Sequence, residues 1–310
     1  MENSYNNKGG DTRMKKKLTL TVGIPTYYGG PALVNAAKSV LDSKSVDKFR
    51  LIVNIDGNPL EPEIEKQLLD LGVDVVFSKE RGGQVARIKQ MIGMTDTDIL
   101  VLTQDDIQLA PDTLANILKT FGNYPKLTMI GARMRSKKTN KIMEKIVDVA
   151  VEGNNELGRR WKNGNNYLMA SGRCMAFRAD FIKKFDIPEG IINSDSYLYF
   201  ENKRKGGEFL ALSEAVVFNK TPETLKEHLK QSRKFSVSKG ENEKYAGENL
   251  SGEYSIPLKP KLEAFAAILL RKHIWAILYL GINLYTKIVG RNMYKDAVRF
   301  WETDKTTKKV

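Results

Sequence analysis

Between residues 18 and 121, four short apolar runs alternate with four helix-compatible segments, and no other feature of the chain limits its fold so strongly. The runs are LTLTVGI (18–24), FRLIVNI (49–55), VDVVF (73–77) and DILVLT (98–103). The helix-compatible segments lie near 31–43, 61–71, 83–94 and 111–121. Nearly continuous apolar strands with helical crossovers predict an α/β fold: a mostly parallel central sheet with helices on both faces, Rossmann-like in its capacity to bind a nucleotide. Such sheets take their ligands beyond the carboxyl ends of the strands, so the residues just past each run are the functional candidates.

The four strand ends carry PTYYGGP (25–31), DGNP (56–59), KERGGQVARIK (79–89) and QDD (104–106), which brings polar groups to one edge. No G-x-G-x-x-G comes after the first strand and no G-x-x-x-x-G-K-[ST] occurs, so the loops that cradle phosphates in dinucleotide-binding and P-loop proteins are missing. Lys and Arg total 50 against 37 Asp and Glu, a net charge of +13 that favours an anionic partner: nucleic acid, a membrane surface or a phosphorylated substrate. The single cysteine, Cys174, excludes an internal disulfide, and with only His228 and His273 it builds no metal-spaced Cys/His cluster. A reducing, cytoplasmic setting is expected. Residues 1–17 are polar and lack a signal-like apolar stretch, so they are expected to be a disordered lead.

In order along the chain, VGIPTYY, IVNIDGN, RGGQVAR, LVLTQDDIQLAPDTL, GRCMAFRADFI, NSDSYLYFENKRKG and QSRKF resemble family 2 glycosyltransferases of the GT-A fold, over roughly residues 18–240. The resemblance implies a catalytic domain over 18–240, a UDP- or GDP-sugar donor, Mg²⁺ or Mn²⁺, and a hydroxyl of a glycan or lipid-linked acceptor. It also implies inversion at the anomeric carbon. In the family's D-x-D pattern Gln104 takes the first position and Asp106 the second, which makes Asp106 the metal ligand and leaves Gln104 and Asp105 to help hold the donor. Asp56 takes the position of the acid that accepts from the nucleotide base, with Pro25 and Tyr27 lining the same pocket. Gly83 allows close backbone approach beside a helix N-terminus, and Arg81 or Arg87 meets phosphate or ribose oxygens. Asp195 takes the catalytic Asp position, Ser194 replacing the preceding Glu. Arg233 and Lys234 take the place of the cations that shield the leaving diphosphate, and the shortened motif around them argues for single transfer rather than polymer synthesis.

Each residue also has a plainer reading. Asp105 and Asp106 suit a solvated turn before a helix, Asp56 an Asp-Gly turn, and Asp195 a helix cap. Past Met134 the chain reads as polar and irregular; Trp161 either stacks on an acceptor sugar or is partly buried. The segment 262–301 is apolar, but its longest uncharged run, residues 274–286, falls short of the roughly 20 residues that span a bilayer. It reads as an amphipathic helical segment within 241–310, placed at a membrane interface, on the catalytic domain or against a second subunit. A nucleotidyltransferase of similar fold and a non-catalytic basic RNA- or membrane-binding protein are the competing classes. Against nucleic acid as partner, the positive charge is scattered and no compact aromatic-and-Arg motif occurs.

Overall fold

A computed structural model describes residues 17–229, 238–246 and 250–290. The first half runs β1 (Leu20–Thr26), α1 (Pro31–Leu41), β2 (Arg50–Asp56), α2 (Pro62–Asp70), β3 (Asp74–Ser78), α3 (Gly83–Met94) and β4 (Ile99–Thr103). α1 and α2 each open on a proline, whose fixed φ and missing N–H cost nothing in a first turn. β1 pairs in parallel with β2 and β4, and β2 with β3, as the alternation of apolar runs and helices predicts.

Because successive strand side chains point to opposite faces, β4 feeds two cores. Ile99 and Val101 join Val22, Val53, Leu33 and Ala37 under α1, whereas Leu100 and Leu102 join Ile52, Val85, Ile88 and Met91 under α3. Each buried side chain of this size contributes about 1.5–3 kcal/mol relative to exposure. Where α3 crosses β1, a Cβ on Gly23 would lie 2.5 Å from the Met91 sulfur and displace that side chain.

The second half adds β5 (Ile107–Leu109), α4 (Thr113–Asn123), β6 (Leu127–Ser136), α5 (Ile142–Arg160), β7 (Cys174–Arg178), α6 (Ala179–Ile182), α7 (Ser194–Arg204) and β8 (Glu208–Asn219). The full sheet has the order β3-β2-β1-β4-β7-β6-β8-β5. β7 runs antiparallel to β4 and β6, so its first residues and the last residues of β6 arrive at the same edge as the carboxyl ends of β1, β2 and β4. The sheet is mostly parallel, as expected, with β7 and β5 as its antiparallel members, and the one change is that part of the segment read as irregular is the 19-residue helix α5. That helix buries Ile146, Val147, Val149 and Val151 while carrying Gly153, Asn154 and Asn155, whose low propensity hides it from the pattern.

Beyond β8 come α8 (Ser238–Ala246), α9 (Ser251–Tyr254), α10 (Leu258–Lys272) and α11 (Ile274–Gly290). Leu250, Tyr245 and Tyr254 pack into the core around α7. Ile268 and Ala276 close over Val149 of α5, and the α10 end is tied there by Lys272 to Asp148 and Glu152, both at 2.7 Å, and by Arg271 to Glu156 at 2.6 Å. Among the described residues no helix is long and apolar enough to cross a membrane.

Candidate active site at the strand ends

Four strand ends and the start of β7 meet in one place. Pro25, Thr26 and Tyr27 after β1, Asp56 at the end of β2, Arg81, Gly83, Gln84 and Arg87 from the loop into α3, and Gln104 and Asp105 after β4 line one pocket. Its free volume is only about 40 Å³, and the Arg81 guanidinium lies over the Tyr27 ring at 4.0 Å from its centre.

The Asp56 carboxylate is the keystone of that pocket. It accepts the Gly82 N–H at 2.8 Å and the Gly83 N–H at 2.9 Å, and Arg87 Nε stands 3.3 Å from its Oδ1. Gly83 has φ +82°, a left-handed conformation that a side chain would strain. The helix N-terminus expected to face a phosphate is therefore turned onto Asp56. Arg87 is 8% exposed and also donates to Gln90 Oε1 at 3.1 Å, so it is a wall of the pocket rather than a free phosphate ligand. The Asp56 side chain does more than make an Asp-Gly turn.

The acids after β4 separate because the strand ends at Thr103 and the chain turns over Asp105 and Asp106. Asp105 is buried and accepts from Thr26 Oγ1 at 2.6 Å, binding the β4 end to the β1 end; Gln104 lies beside it in the pocket wall. Asp106 belongs to a different neighbourhood. It acts electrostatically on Lys137 and on Arg173, and Arg173 also feels Asp195. Burial pulls the Arg173 guanidinium below its usual range, against the attraction of both carboxylates.

Topology explains this meeting. Thr103 of β4 pairs with Cys174 of β7, and Thr103 Oγ1 donates to the Arg173 carbonyl at 2.7 Å, so the loop before β7 sits against the QDD segment. In that loop the Gly172 N–H donates to Asp195 Oδ2 at 2.7 Å, and a Cβ on Gly172 would fall 2.1 Å from Asp195 Oδ1. Asp195 is the second residue of α7. The cap position belongs to Asn193, and Asp195 reaches across to another loop instead of capping its own helix. Glu241 of α8 accepts the Ile192 and Asn193 N–H groups at 2.9 and 3.0 Å, fixing the entry to α7.

Trp161 is not an acceptor platform in this fold. It is 4% exposed, its ring meets Tyr167 edge-on at 5.8 Å, and Tyr167 in turn lies 4.5 Å from Tyr254. Its apolar area is better used in this aromatic cluster than in water, which corrects the expectation of sugar stacking. Arg233 and Lys234 lie outside the described residues. Arg178, at the far end of β7, donates to the Leu127 and Phe121 carbonyls and is structural. Cys174 is buried, which pushes its thiol up to about 12 and removes it as a nucleophile. Glu241, whose contact with the Asn193 N–H spans 48 residues of chain, escaped the motif reading.

The comparisons with known proteins agree with the motifs. A model of the family described as glycosyltransferase like family 2 matches residues 22–235. Among solved structures, a mannosyltransferase from Pyrobaculum calidifontis in complex with GDP-Man and Mn²⁺ superposes with TM-score 0.57 at 14% identity, over 91% of this chain and 77% of that one. Glucosyl-3-phosphoglycerate synthase from Mycobacterium tuberculosis, in complex with phosphoglyceric acid, superposes with TM-score 0.50 at 17% identity, over 71% of this chain and 77% of that one. No curated protein sequence matches. The two solved structures share the fold, and the family match spans the pocket side chains, the QDD segment and Asp195 together: the chain belongs to the glycosyltransferase-like family 2 and is a glycosyltransferase with the GT-A fold.

Proposed function

We propose that the protein transfers a single sugar from a nucleoside-diphosphate sugar to an acceptor hydroxyl, with inversion, and that Asp195 is the general base. The observation that carries this reading is the grouping of Asp106, Arg173 and Asp195 at the carboxyl end of β4, beside a pocket walled by Tyr27 and Asp56. The nucleotide base enters that pocket by taking the place of the Arg81 guanidinium over Tyr27, and Arg81 swings out toward ribose or phosphate oxygens. Asp195 removes the acceptor hydroxyl proton as the hydroxyl oxygen bonds to the anomeric carbon and the bond to the diphosphate breaks. The Gly172 N–H fixes its Oδ2 at 2.7 Å and so orients the carboxylate for that role.

Among the described residues no three His, Cys, Asp or Glu side chains group as a metal cage. Asp106, half-buried in the turn after β4, would hold a Mg²⁺ or Mn²⁺ ion as a lone protein carboxylate. Bound there, the ion supplies neutralisation of the charge that builds on the leaving diphosphate. Arg173 contributes positive charge to the same region, where both Asp106 and Asp195 act on it. A row of exposed apolar side chains on α10 and α11, including Leu262, Leu270, Ile277 and Leu284, supports peripheral contact with a bilayer surface, which flotation with anionic vesicles checks. A membrane-facing acceptor is consistent with that row.

The test is a panel of UDP- and GDP-sugars with Mg²⁺ or Mn²⁺, scored by thermal stabilisation and release of nucleoside diphosphate, on the wild type and on Asp195→Asn. An amide at position 195 still accepts from Gly172 but takes no proton. The expected variant melts and binds donor like the wild type and transfers roughly a hundredfold more slowly. Near-normal transfer by the variant would remove Asp195 from the chemistry, and release of pyrophosphate would replace the whole reading with nucleotidyl transfer.

A further inference from the structure

A cleft of about 920 Å³ opens between the end of β6, α5 and the α10–α11 junction. That volume suits an organic ligand, but its lining does not suit an apolar one. Seven basic side chains face it against two acidic ones, Asp148 and Glu152. Those two carboxylates are already engaged: Lys272 lies 2.7 Å from each, and Arg271 approaches Glu152 at 4.0 Å. Among the described residues, Arg133, Arg135, Lys137, Lys138 and Lys145 have no carboxylate within ion-pair distance.

The sequence builds this arrangement directly. Arg133, Arg135 and Lys137 alternate along the end of β6 and project to one face, while Lys145 comes from the first turns of α5, its ammonium 5.6 Å from the centre of the Trp275 ring. Burial lowers the Arg133 guanidinium most; Arg135, Arg159 and Arg271 lower it further, and Glu152 acts against them. Such a cluster opposes folding by self-repulsion, and an anion in the cleft relieves it.

The cleft also adjoins the reacting centre. Ser136 pairs with Asn219 and Asn219 with Ile107, so β8 alone separates the end of β6 from the residue after Asp106. Lys137, at the inner rim, feels the Asp106 charge.

We infer that this cleft binds the phosphate group of a phosphate-bearing acceptor and so holds that acceptor beside Asp195. This rests on the glycosyl-transfer reading, which it deepens by naming the acceptor class. Phosphate rather than carboxylate is indicated by the charge: five unpartnered cations match a dianion with three acceptor oxygens, and two arginines on one strand face offer forked donors to it. The Trp275 ring at the cleft wall gives the carbon skeleton next to the phosphate an apolar surface.

The test measures calorimetric binding of glycerol phosphate to the full chain at physiological salt with no donor present, so its outcome stands apart from whether any nucleotide sugar is turned over. Wild type is compared with Arg133→Gln/Arg135→Gln, with Lys138→Gln/Lys145→Gln from the other wall, and with Lys38→Gln/Lys119→Gln, an equal charge change at exposed positions outside the cleft lining. Loss of charge-assisted bonds predicts affinity lower by roughly tenfold or more in both cleft variants and unchanged in the control. Glycerate, with a carboxylate in place of the phosphate, is expected to bind roughly tenfold more weakly than glycerol phosphate. Vesicles divide the sources. Flotation with phosphatidic acid in preference to phosphatidylserine, lost in the cleft variants, assigns the phosphate to a lipid headgroup; binding of glycerol phosphate without that preference assigns it to a soluble acceptor. Equal losses in control and cleft variants, equal affinity for glycerate, or no binding of either phosphate probe would overturn the inference.

Discussion

Asp56→Asn tests the keystone role assigned to this carboxylate. The side chain is 4% exposed and does three things at once: each oxygen accepts one backbone N–H of the loop into α3, and Oδ1 faces the Arg87 guanidinium. An asparagine presents an amide N–H₂ to one of those backbone donors, so one hydrogen bond is lost, and the buried Arg87 loses its counter-charge. Breaking a buried pair by removing one partner costs about 3–5 kcal/mol. Arg87 keeps its bond to Gln90, which argues for the lower end, about 3 kcal/mol. That is within the roughly 5–15 kcal/mol by which a domain is typically stable, so the variant folds. In urea, with a slope of about 3 kcal/mol per molar, the midpoint falls by about 1 M. The loop it holds carries Arg81 and Gly83, so donor affinity falls as well. Replacing Arg87 by Met in the same chain removes the orphaned charge, and the double variant recovers part of the midpoint. A single variant that unfolds at the wild-type midpoint, or a double variant whose loss is the simple sum of the two, would refute the keystone role.

Glu241→Ala leaves the Ile192 and Asn193 N–H groups without their acceptor, and the expected loss is about 1–3 kcal/mol of stability with transfer slowed by roughly tenfold or more. Donor affinity, measured separately, stays at the wild-type value because the donor pocket is built from other loops; a parallel loss of donor binding would count against a role confined to placing Asp195. His228 is buried, with its ring centre 6.0 Å from that of Tyr279 on α11, and burial lowers its pKa below the ordinary 6.5. The unfolded chain therefore takes up the proton first, so His228 is neutral in its effect above about pH 7 and costs stability as the pH falls through 6.5 toward its folded value. Melting curves at about pH 7.5 and about pH 5 should show a smaller acid-induced drop in His228→Phe than in wild type, and equal drops would remove His228 as a cause.

The parts of the fold that were legible are those whose physics is local. A strand buried on both faces must be apolar at nearly every position, and residues 99–103 or 51–55 cannot be read otherwise once helices flank them. α5 was illegible for the opposite reason. It interposes Gly153, Asn154 and Asn155 and buries Glu144 and Glu156, and its apolar face is covered in part by residues more than a hundred positions later, Ile268 and Ala276. The pocket residues were legible because strand ends are fixed by strand positions. The partners of each pocket residue were not: that Arg87 is held by Asp56 and Gln90, or that Trp161 is closed off by Tyr167, depends on loop and helix geometry that no spacing encodes. Gly172 shows the same limit, since only the approach of Asp195 explains why a side chain is forbidden there.

With the donor and the phosphate-bearing acceptor as proposed, the sheet order accounts for one edge serving two ligands of like charge. The parallel strands β1, β2 and β4 deliver Tyr27, Asp56 and Asp105 to the donor side, and each brings acids or aromatic rings rather than a field of cations. The reversal at β7 carries β6 to the same edge from the other flank, and it is β6 that bears Arg133 and Arg135. Positive charge is thereby concentrated on the flank away from the nucleotide pocket, with Arg173 and Lys137 between the two. A diphosphate arriving from one side and an anionic acceptor from the other would repel each other at close range in water. Arg173 and Lys137, the cations near Asp106, would offset that repulsion. An all-parallel sheet would have sent β7 in the opposite direction and placed the Gly172 and Arg173 end at the far edge, away from both carboxylates.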